Sequence, residues 1–110
     1  MERPLVGSVV VTRFPYSDLK SYKVRPVLVI AHGDYGDLIL CQITSISDGS
    51  LSKIALKNTD FKSGGLPVDS FIRPDKIFTS DQKLIVKTAG VVSDSIMKKV
   101  RGKLAGLFNI

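Results

Sequence analysis

Residues 26–44, PVLVIAHGDYGDLILCQIT, decide the fold of this chain. Two apolar runs, 26–31 and 38–44, flank the Gly- and Asp-rich segment 32–37, whose composition favours a turn. Because the connection is short, the two runs are predicted to pair as antiparallel strands. The stretch indicates a sheet protein. Polar side chains at the ends of these strands become candidates for a functional site.

Further strands are predicted on both sides of this hairpin, because branched and aromatic side chains fit a pleated surface. The valine-rich run 7–13 precedes the hairpin, and four runs follow it: 54–56, 68–73, 77–79 and 84–92. The polar residues 16–24 and the stretch 58–67 predict loops.

The end of the chain has helical rather than strand periodicity. Ser93 is a candidate N-cap, and apolar residues then recur at three- and four-residue spacing. They are Ile96, Val100, Leu104, Leu107 and Phe108. Several short strands followed by one helix predict a mainly β fold, with a small, bent antiparallel sheet that is closed or nearly closed.

Length and composition indicate one globular domain spanning residues 1–110. Sixteen Lys and Arg against ten Asp and Glu give a net charge of +6, which attracts polyanions or acidic protein segments. No run reaches the roughly 20 apolar residues that cross a bilayer, and no signal segment is recognisable, so we expect no membrane association. The single cysteine, Cys41, permits no internal disulfide and suits a cytoplasmic location.

Metal and cofactor chemistry are disfavoured by the motifs of this chain. One histidine and one cysteine do not form a typical zinc centre, and no phosphate-cradling glycine motif is present. The sequence therefore predicts no metal and no cofactor. His32 has a side chain suited to general base catalysis, but a lone turn histidine is more often an ordinary surface residue.

Five residues at or near strand ends are candidates for phosphate chemistry. The guanidinium of Arg25 can hold a phosphate through two parallel hydrogen bonds, although a surface salt bridge is an equal alternative. Thr44 and Ser45 can donate hydroxyl hydrogen bonds to the same group, yet threonine in a strand usually reflects strand propensity. For Arg73 and Asp75, a structural ion pair is slightly favoured over a role in phosphate chemistry.

Segments along nearly the whole chain follow the order found in one known family. GSVVV at 7–11, VRPVLVI at 24–30, ITS at 43–45 and SFIRPD at 70–75 resemble the PemK/MazF family of type II toxins. The RPVLVI segment is the most specific element. The FTSD stretch at 78–81 and the closing helix continue the resemblance.

The resemblance implies a small SH3-like antiparallel barrel and a metal-independent, sequence-selective endoribonuclease that cuts single-stranded RNA, chiefly messenger RNA. It also implies a homodimer that a cognate antitoxin neutralises, and the basic charge suits an acidic antitoxin. The family's catalytic arginine and threonine correspond to Arg25 and Thr44. The arginine and aspartate that contribute in some members correspond to Arg73 and Asp75.

The implied products are a 2′,3′-cyclic phosphate and a 5′-hydroxyl. Arg25 and Thr44 would stabilise the charge that develops on the phosphate, and Asp75 is the candidate proton acceptor. The candidate RNA-binding residues are Ser17, Lys20, Tyr22, Lys23, Ser45 and Arg73. Many relatives have a glycine-rich stretch where this chain has residues 21–24, SYKV. The alternative function is a non-catalytic toxin or binding module of the same fold, for example an inhibitor of DNA gyrase.

Overall fold

A computed structural model describes residues 3–14, 23–47 and 49–110 of the chain. In these residues, seven strands form one curled antiparallel sheet in the order β4-β6-β3-β2-β1-β7-β5, and one α-helix follows. The elements are β1 (Ser8–Phe14), β2 (Lys23–His32), β3 (Asp37–Thr44), β4 (Ile54–Leu56), β5 (Phe61–Gly64), β6 (Ser70–Asp81), β7 (Ile85–Val92) and α1 (Asp94–Phe108). The predicted mainly β fold with a C-terminal helix is confirmed.

The central hairpin forms as its sequence predicts. Tyr35 and Gly36 both have positive φ, 56° and 86°, which is the backbone conformation of the tight turns that match the twist of two antiparallel strands. The N–H of Asp37 donates to the carbonyl of Asp34 at 3.0 Å and closes the turn. The register pairs Leu28 with Cys41 across β2 and β3.

The two faces of the sheet are both buried, but by different partners. Side chains alternate between faces along a strand, so neighbouring residues of β2 and β3 enter different clusters. Leu28 and Ile43 pack on the face that is covered by the helix residues Ile96 and Val100. The opposite face holds a second cluster of Val10, Val27, Val29, Leu38 and Leu40, against which Phe78 and Ile85 pack.

The helix begins at the predicted cap. The Oγ of Ser93 accepts a hydrogen bond from the N–H of Ile96 at 3.3 Å, which satisfies one of the free amides of the first turn. The chain then runs through 15 helical residues to Asn109, whose left-handed conformation ends the helix. None of the described helices is long and apolar enough to span a bilayer.

Two parts of the sequence-based assignment are wrong. Residues 61–64 form β5 inside the stretch that predicts a loop, because they pair with β7 in a contact that local composition does not indicate. Lys23 and Val24 belong to β2 rather than to the preceding loop. Pairing with distant strands decides both cases.

The predicted strands 68–73 and 77–79 are one continuous strand, β6. Its register against β3 shifts between Arg73, which pairs with Gln42, and Ile77, which pairs with Cys41. The residues between them bulge from the ladder, and one of them is Pro74. Proline has no N–H to donate, so a bulge accommodates it inside a strand.

Cys41 is predicted to be unreactive while the protein is folded. Its side chain is fully buried in the cluster beneath α1, and burial raises the pKa of the thiol to about 12. Because the thiolate is the reactive form, an alkylating reagent should leave the native protein unmodified at neutral pH. Mass spectrometry should show one adduct only after urea is added, and rapid labelling of the native protein would contradict the burial.

Candidate functional site

A groove with a volume of about 760 Å³ opens beside the ends of β2 and β3. Its walls come mainly from four parts of the chain, residues 23–26, 43–46, 65–68 and 87–89. We call it the Arg25 groove. Arg25 and Thr44 both line it, together with Lys23 and Ser45. The fold therefore brings four of the sequence-predicted site residues to one surface.

The register of β2 and β3 explains why Arg25 and Thr44 line one groove. The last pair of this ladder is Val27 with Gln42. Arg25 and Thr44 each lie two residues beyond that pair, so both are on the same face of the sheet as Val27 and Gln42. A cation and a hydroxyl thus stand at the adjoining ends of two neighbouring strands.

The side chain of Thr44 is oriented by its own backbone. Its Oγ1 accepts a hydrogen bond from the N–H of Ile46 at 3.1 Å, in a local pattern that threonine often forms at the end of a strand. A hydroxyl that accepts one bond still has its own hydrogen to donate. Thr44 is therefore held in place with a donor available to a group in the groove.

Arg25 is exposed, and within the described residues it has no hydrogen-bond or ion-pair partner. The alternative interpretation, a surface salt bridge, would need an acidic side chain next to Arg25. The described residues provide none. A guanidinium is charged at any physiological pH and offers donors in a fork that matches phosphate oxygens.

Two features of the groove were not predicted from the sequence. Lys87 enters its lining because Val11 pairs with both Pro26 and Lys87, so β1 places β7 next to the entrance of β2. The segment 65–68 forms an opposite, largely apolar wall. Neither follows from a local pattern, since a single lysine in a strand and a short Gly- and Pro-containing loop are common features.

Arg73 and Asp75 form a bidentate ion pair. Nε of Arg73 donates to Oδ1 of Asp75 at 3.0 Å, and Nη2 donates to Oδ2 at 2.9 Å. The hydrogen bond from Arg73 lowers the pKa of Asp75 below its ordinary value of 3.8. Neither residue is among the described residues that line the Arg25 groove. Arg73 pairs with Gln42, two residues before Thr44 on β3, and so lies on the same sheet face nearby.

The Asp75→Asn variant is expected to be less stable than the parent at neutral pH by less than about 1 kcal/mol, because the pair is partly exposed to solvent. Since the folded-state pKa is lowered, the stabilisation is complete above pH 3.8 and is lost as the pH falls through the lower folded-state value. Urea titrations at several pH values should show the two proteins converging in acid. A difference that persists unchanged in strong acid would contradict this assignment.

Of the remaining candidates, three are not described by the structure and His32 is absent from the described lining of the Arg25 groove. Ser17, Lys20 and Tyr22 lie outside the described residues. His32 is exposed at the end of β2 rather than in the turn, and its Nε2 lies 2.7 Å from the carbonyl oxygen of Pro4, to which the ring N–H can donate. Among the residues that the structure describes, no group of three or more His, Cys, Asp or Glu side chains is placed to hold a metal ion.

Comparison with solved structures finds the same fold in several toxin structures. The chain superposes on MazF in a MazE-MazF structure from Deinococcus radiodurans with a TM-score of 0.80 and 22% identity, covering 99% of each chain. An endoribonuclease in complex with its cognate antitoxin from a mycobacterial species gives 0.75 and 21%, covering 97% of this chain and 96% of that one. The Mycobacterium tuberculosis toxin MazF-mt6 gives 0.74 and 15%, covering 94% and 97%.

A comparison with curated proteins gives no significant match. A family model described as the PemK-like, MazF-like toxin of type II toxin-antitoxin systems matches residues 6–108. The match includes every strand of the sheet, the Arg25 groove and the helix. This chain therefore belongs to the PemK-like, MazF-like toxin family of type II toxin-antitoxin systems.

Proposed function

We propose that this chain cleaves single-stranded RNA, chiefly messenger RNA, without a metal ion and at selected sequences. The observation that carries the proposal is the convergence of Arg25 and Thr44, from two neighbouring strands, in one open groove of a toxin-family protein. Lys23 and Lys87 add positive charge to the same groove. The site is thus basic and furnished with hydrogen-bond donors, which suits a phosphodiester.

The chemistry follows from these two side chains. The 2′-hydroxyl of a ribose attacks the neighbouring phosphorus and gives its proton to a base. The bond from phosphorus to the 5′-oxygen of the next nucleotide breaks, and that oxygen takes up a proton. The products are a 2′,3′-cyclic phosphate and a 5′-hydroxyl. Negative charge builds on the non-bridging oxygens during the attack, and donors already aimed at those oxygens stabilise the transition state. Arg25 supplies charged donors, and Thr44 supplies a neutral one.

The proton acceptor is a separate question. Asp75 is the candidate from the sequence, but both of its oxygens receive hydrogen bonds from Arg73 and its pKa is lowered. A carboxylate in that state is a weak base near neutral pH. The geometry favours a role for Asp75 in holding Arg73, which lies on the same face as Thr44.

The proposed partners are a second copy of this chain and a cognate acidic antitoxin, all in the cytoplasm. The net charge of +6 favours association with an acidic segment. Similar structures include a MazE-MazF complex and an endoribonuclease with its antitoxin. We propose that the antitoxin covers the Arg25 groove, so the complex should cleave RNA much more slowly than the free toxin.

Incubation of the purified protein with several long single-stranded RNAs in EDTA tests the ribonuclease proposal. Cuts that recur at one short sequence, with cyclic phosphate and 5′-hydroxyl ends, are the expected result. RNA that stays intact across diverse sequences would overturn the proposal and favour a non-catalytic toxin, such as one directed at DNA gyrase. Loss of cleavage in the Arg25→Ala variant excludes a contaminating nuclease.

A further inference from the structure

A second basic groove lies between β4 and α1 on the far side of β6 from the Arg25 groove. Its volume is about 560 Å³, and it is lined by Lys53, Ile54, Ala55, Lys99, Gly102 and Lys103. We call it the lysine groove. Three of these six residues are lysines and none is acidic. Lys99 and Lys103 are four residues apart on α1, which places them on one face of the helix.

The lysine groove is open on its helix side. A Cβ atom added at Gly102, between the two helix lysines, would meet nothing within 4 Å. The Nζ of Lys103 has a long contact of 3.5 Å with the carbonyl oxygen of Leu51. None of the described residues that line this groove carries a carboxylate. Such a concentration of one charge attracts a polyanion.

The strand register connects the two grooves across the sheet. Thr44 pairs with Phe71, and Phe71 pairs with Ala55. These residues lie on the face opposite the buried row of Ile43, Ile72 and Ile54, which packs under the helix. The row runs over two strand spacings, about 10 Å, from Thr44 in the Arg25 groove to Ala55 in the lysine groove.

Lys53 contacts both a residue of this row and the segment that follows β3. Its Nζ lies 5.3 Å from the centroid of the Phe71 ring and donates to the Oγ of Ser47 at 3.0 Å. Ser47 follows Thr44 by three residues. The Lys53 ammonium is therefore positioned between the end of β3 and the lysine groove, and positive charge continues from one groove to the other.

We propose that the lysine groove binds phosphates of the substrate RNA a few nucleotides away from the bond that is cut. The inference rests on the proposed ribonuclease function and adds the path of the substrate over the protein. The RNA would run across β3, β6 and β4 rather than along a single β-strand. The described lining supplies three lysine ammonium groups and no carboxylate, and the row of paired residues connects it to the Arg25 groove. Phosphates of an RNA strand bound at the Arg25 groove need only such ammonium groups.

Binding of an uncleavable RNA tests this proposal. The probe is a fluorescent 2′-O-methyl RNA of about 20 nucleotides, long enough to span both grooves. The Lys99→Gln/Lys103→Gln variant should bind it about five- to tenfold more weakly, with a salt slope smaller by about 1.4 for two lost phosphate contacts. The matched control is Lys83→Gln/Lys98→Gln, which removes the same charge at exposed positions outside the groove. It should change the affinity by less than about twofold.

The outcomes separate this proposal from the ribonuclease proposal. If the parent cleaves RNA but both variants bind the probe equally, the lysine groove is not an RNA site and the ribonuclease function stands. If the parent does not cleave but the groove variant alone loses affinity, the groove binds RNA and the ribonuclease function fails. If the parent protein does not bind the RNA probe, the proposal that the lysine groove binds RNA is wrong. A selective loss of polyglutamate binding, with RNA binding intact, also overturns it and indicates an acidic protein partner.

Discussion

Replacing Arg25 with alanine is expected to lower the rate of RNA cleavage at least about a hundredfold, the usual effect of removing one preorganised donor to a developing negative charge. Arg25 and Thr44 both line the Arg25 groove, and the guanidinium is charged at any working pH. Its loss leaves the Thr44 hydroxyl and the surrounding lysines, which cannot supply the same forked contact. Initial rates on one defined single-stranded RNA measure the effect.

The fold of the Arg25→Ala variant should be unchanged. Arg25 is exposed and has no partner within the described residues, so its removal breaks no contact that stabilises the sheet. The melting temperature of the variant should therefore match that of the parent. Arg25→Lys is an informative second variant, because it keeps the charge but loses the planar fork, and it should recover only part of the rate. A fully active Arg25→Ala protein would remove Arg25 from the mechanism.

Substitution of Gly64 by alanine should destabilise the protein by about 3 kcal/mol, because two penalties act at one site. Gly64 has a φ of 68°, and a Cβ there would lie 2.1 Å from the carbonyl oxygen of Ala89. Its partner in the sheet is Gly90, where a Cβ would lie 2.4 Å from the carbonyl oxygen of Ser63. The β5 and β7 backbones therefore approach too closely for any side chain.

The loss at Gly64 corresponds to a fall in melting temperature of roughly 12–20 °C for a chain of this size. Gly106→Ala is the matched control. A Cβ at Gly106 would meet nothing within 4 Å, and alanine favours a helix, so this change should stabilise by up to about 1 kcal/mol. Calorimetry should show a lower melting temperature for the Gly64→Ala variant and an unchanged or higher one for the Gly106→Ala variant. Equal melting temperatures would mean that the close β5–β7 contact is absent.

The close contact of β5 and β7 also matters for the site. Residues 65–68, which follow Gly64 directly, form one wall of the Arg25 groove, and Ala89 precedes Gly90 on another wall. If β5 detaches from β7, both walls lose their support. The Gly64→Ala variant should therefore lose cleavage activity at temperatures where its sheet edge opens, below the global unfolding of the parent.

The sequence by itself determined the central hairpin, the order of most strands and the helix with its Ser93 cap. These features depend on turn chemistry and on side-chain periodicity over a few residues, and both can be read from local sequence. Arg25 and Thr44 could also be singled out, since each stands at the end of an apolar run and within a segment that resembles the toxin family.

Only the tertiary structure decided that residues 61–64 form a strand, that β6 continues through a bulge at Pro74, and that Lys87 lines the Arg25 groove. It also placed the Arg73–Asp75 pair outside that groove and aligned Thr44, Phe71 and Ala55 in one row toward the lysines. Each of these outcomes depends on the register between strands distant in sequence. Between such strands the register also depends on bulges and on cross-strand side-chain pairs, which local composition does not encode.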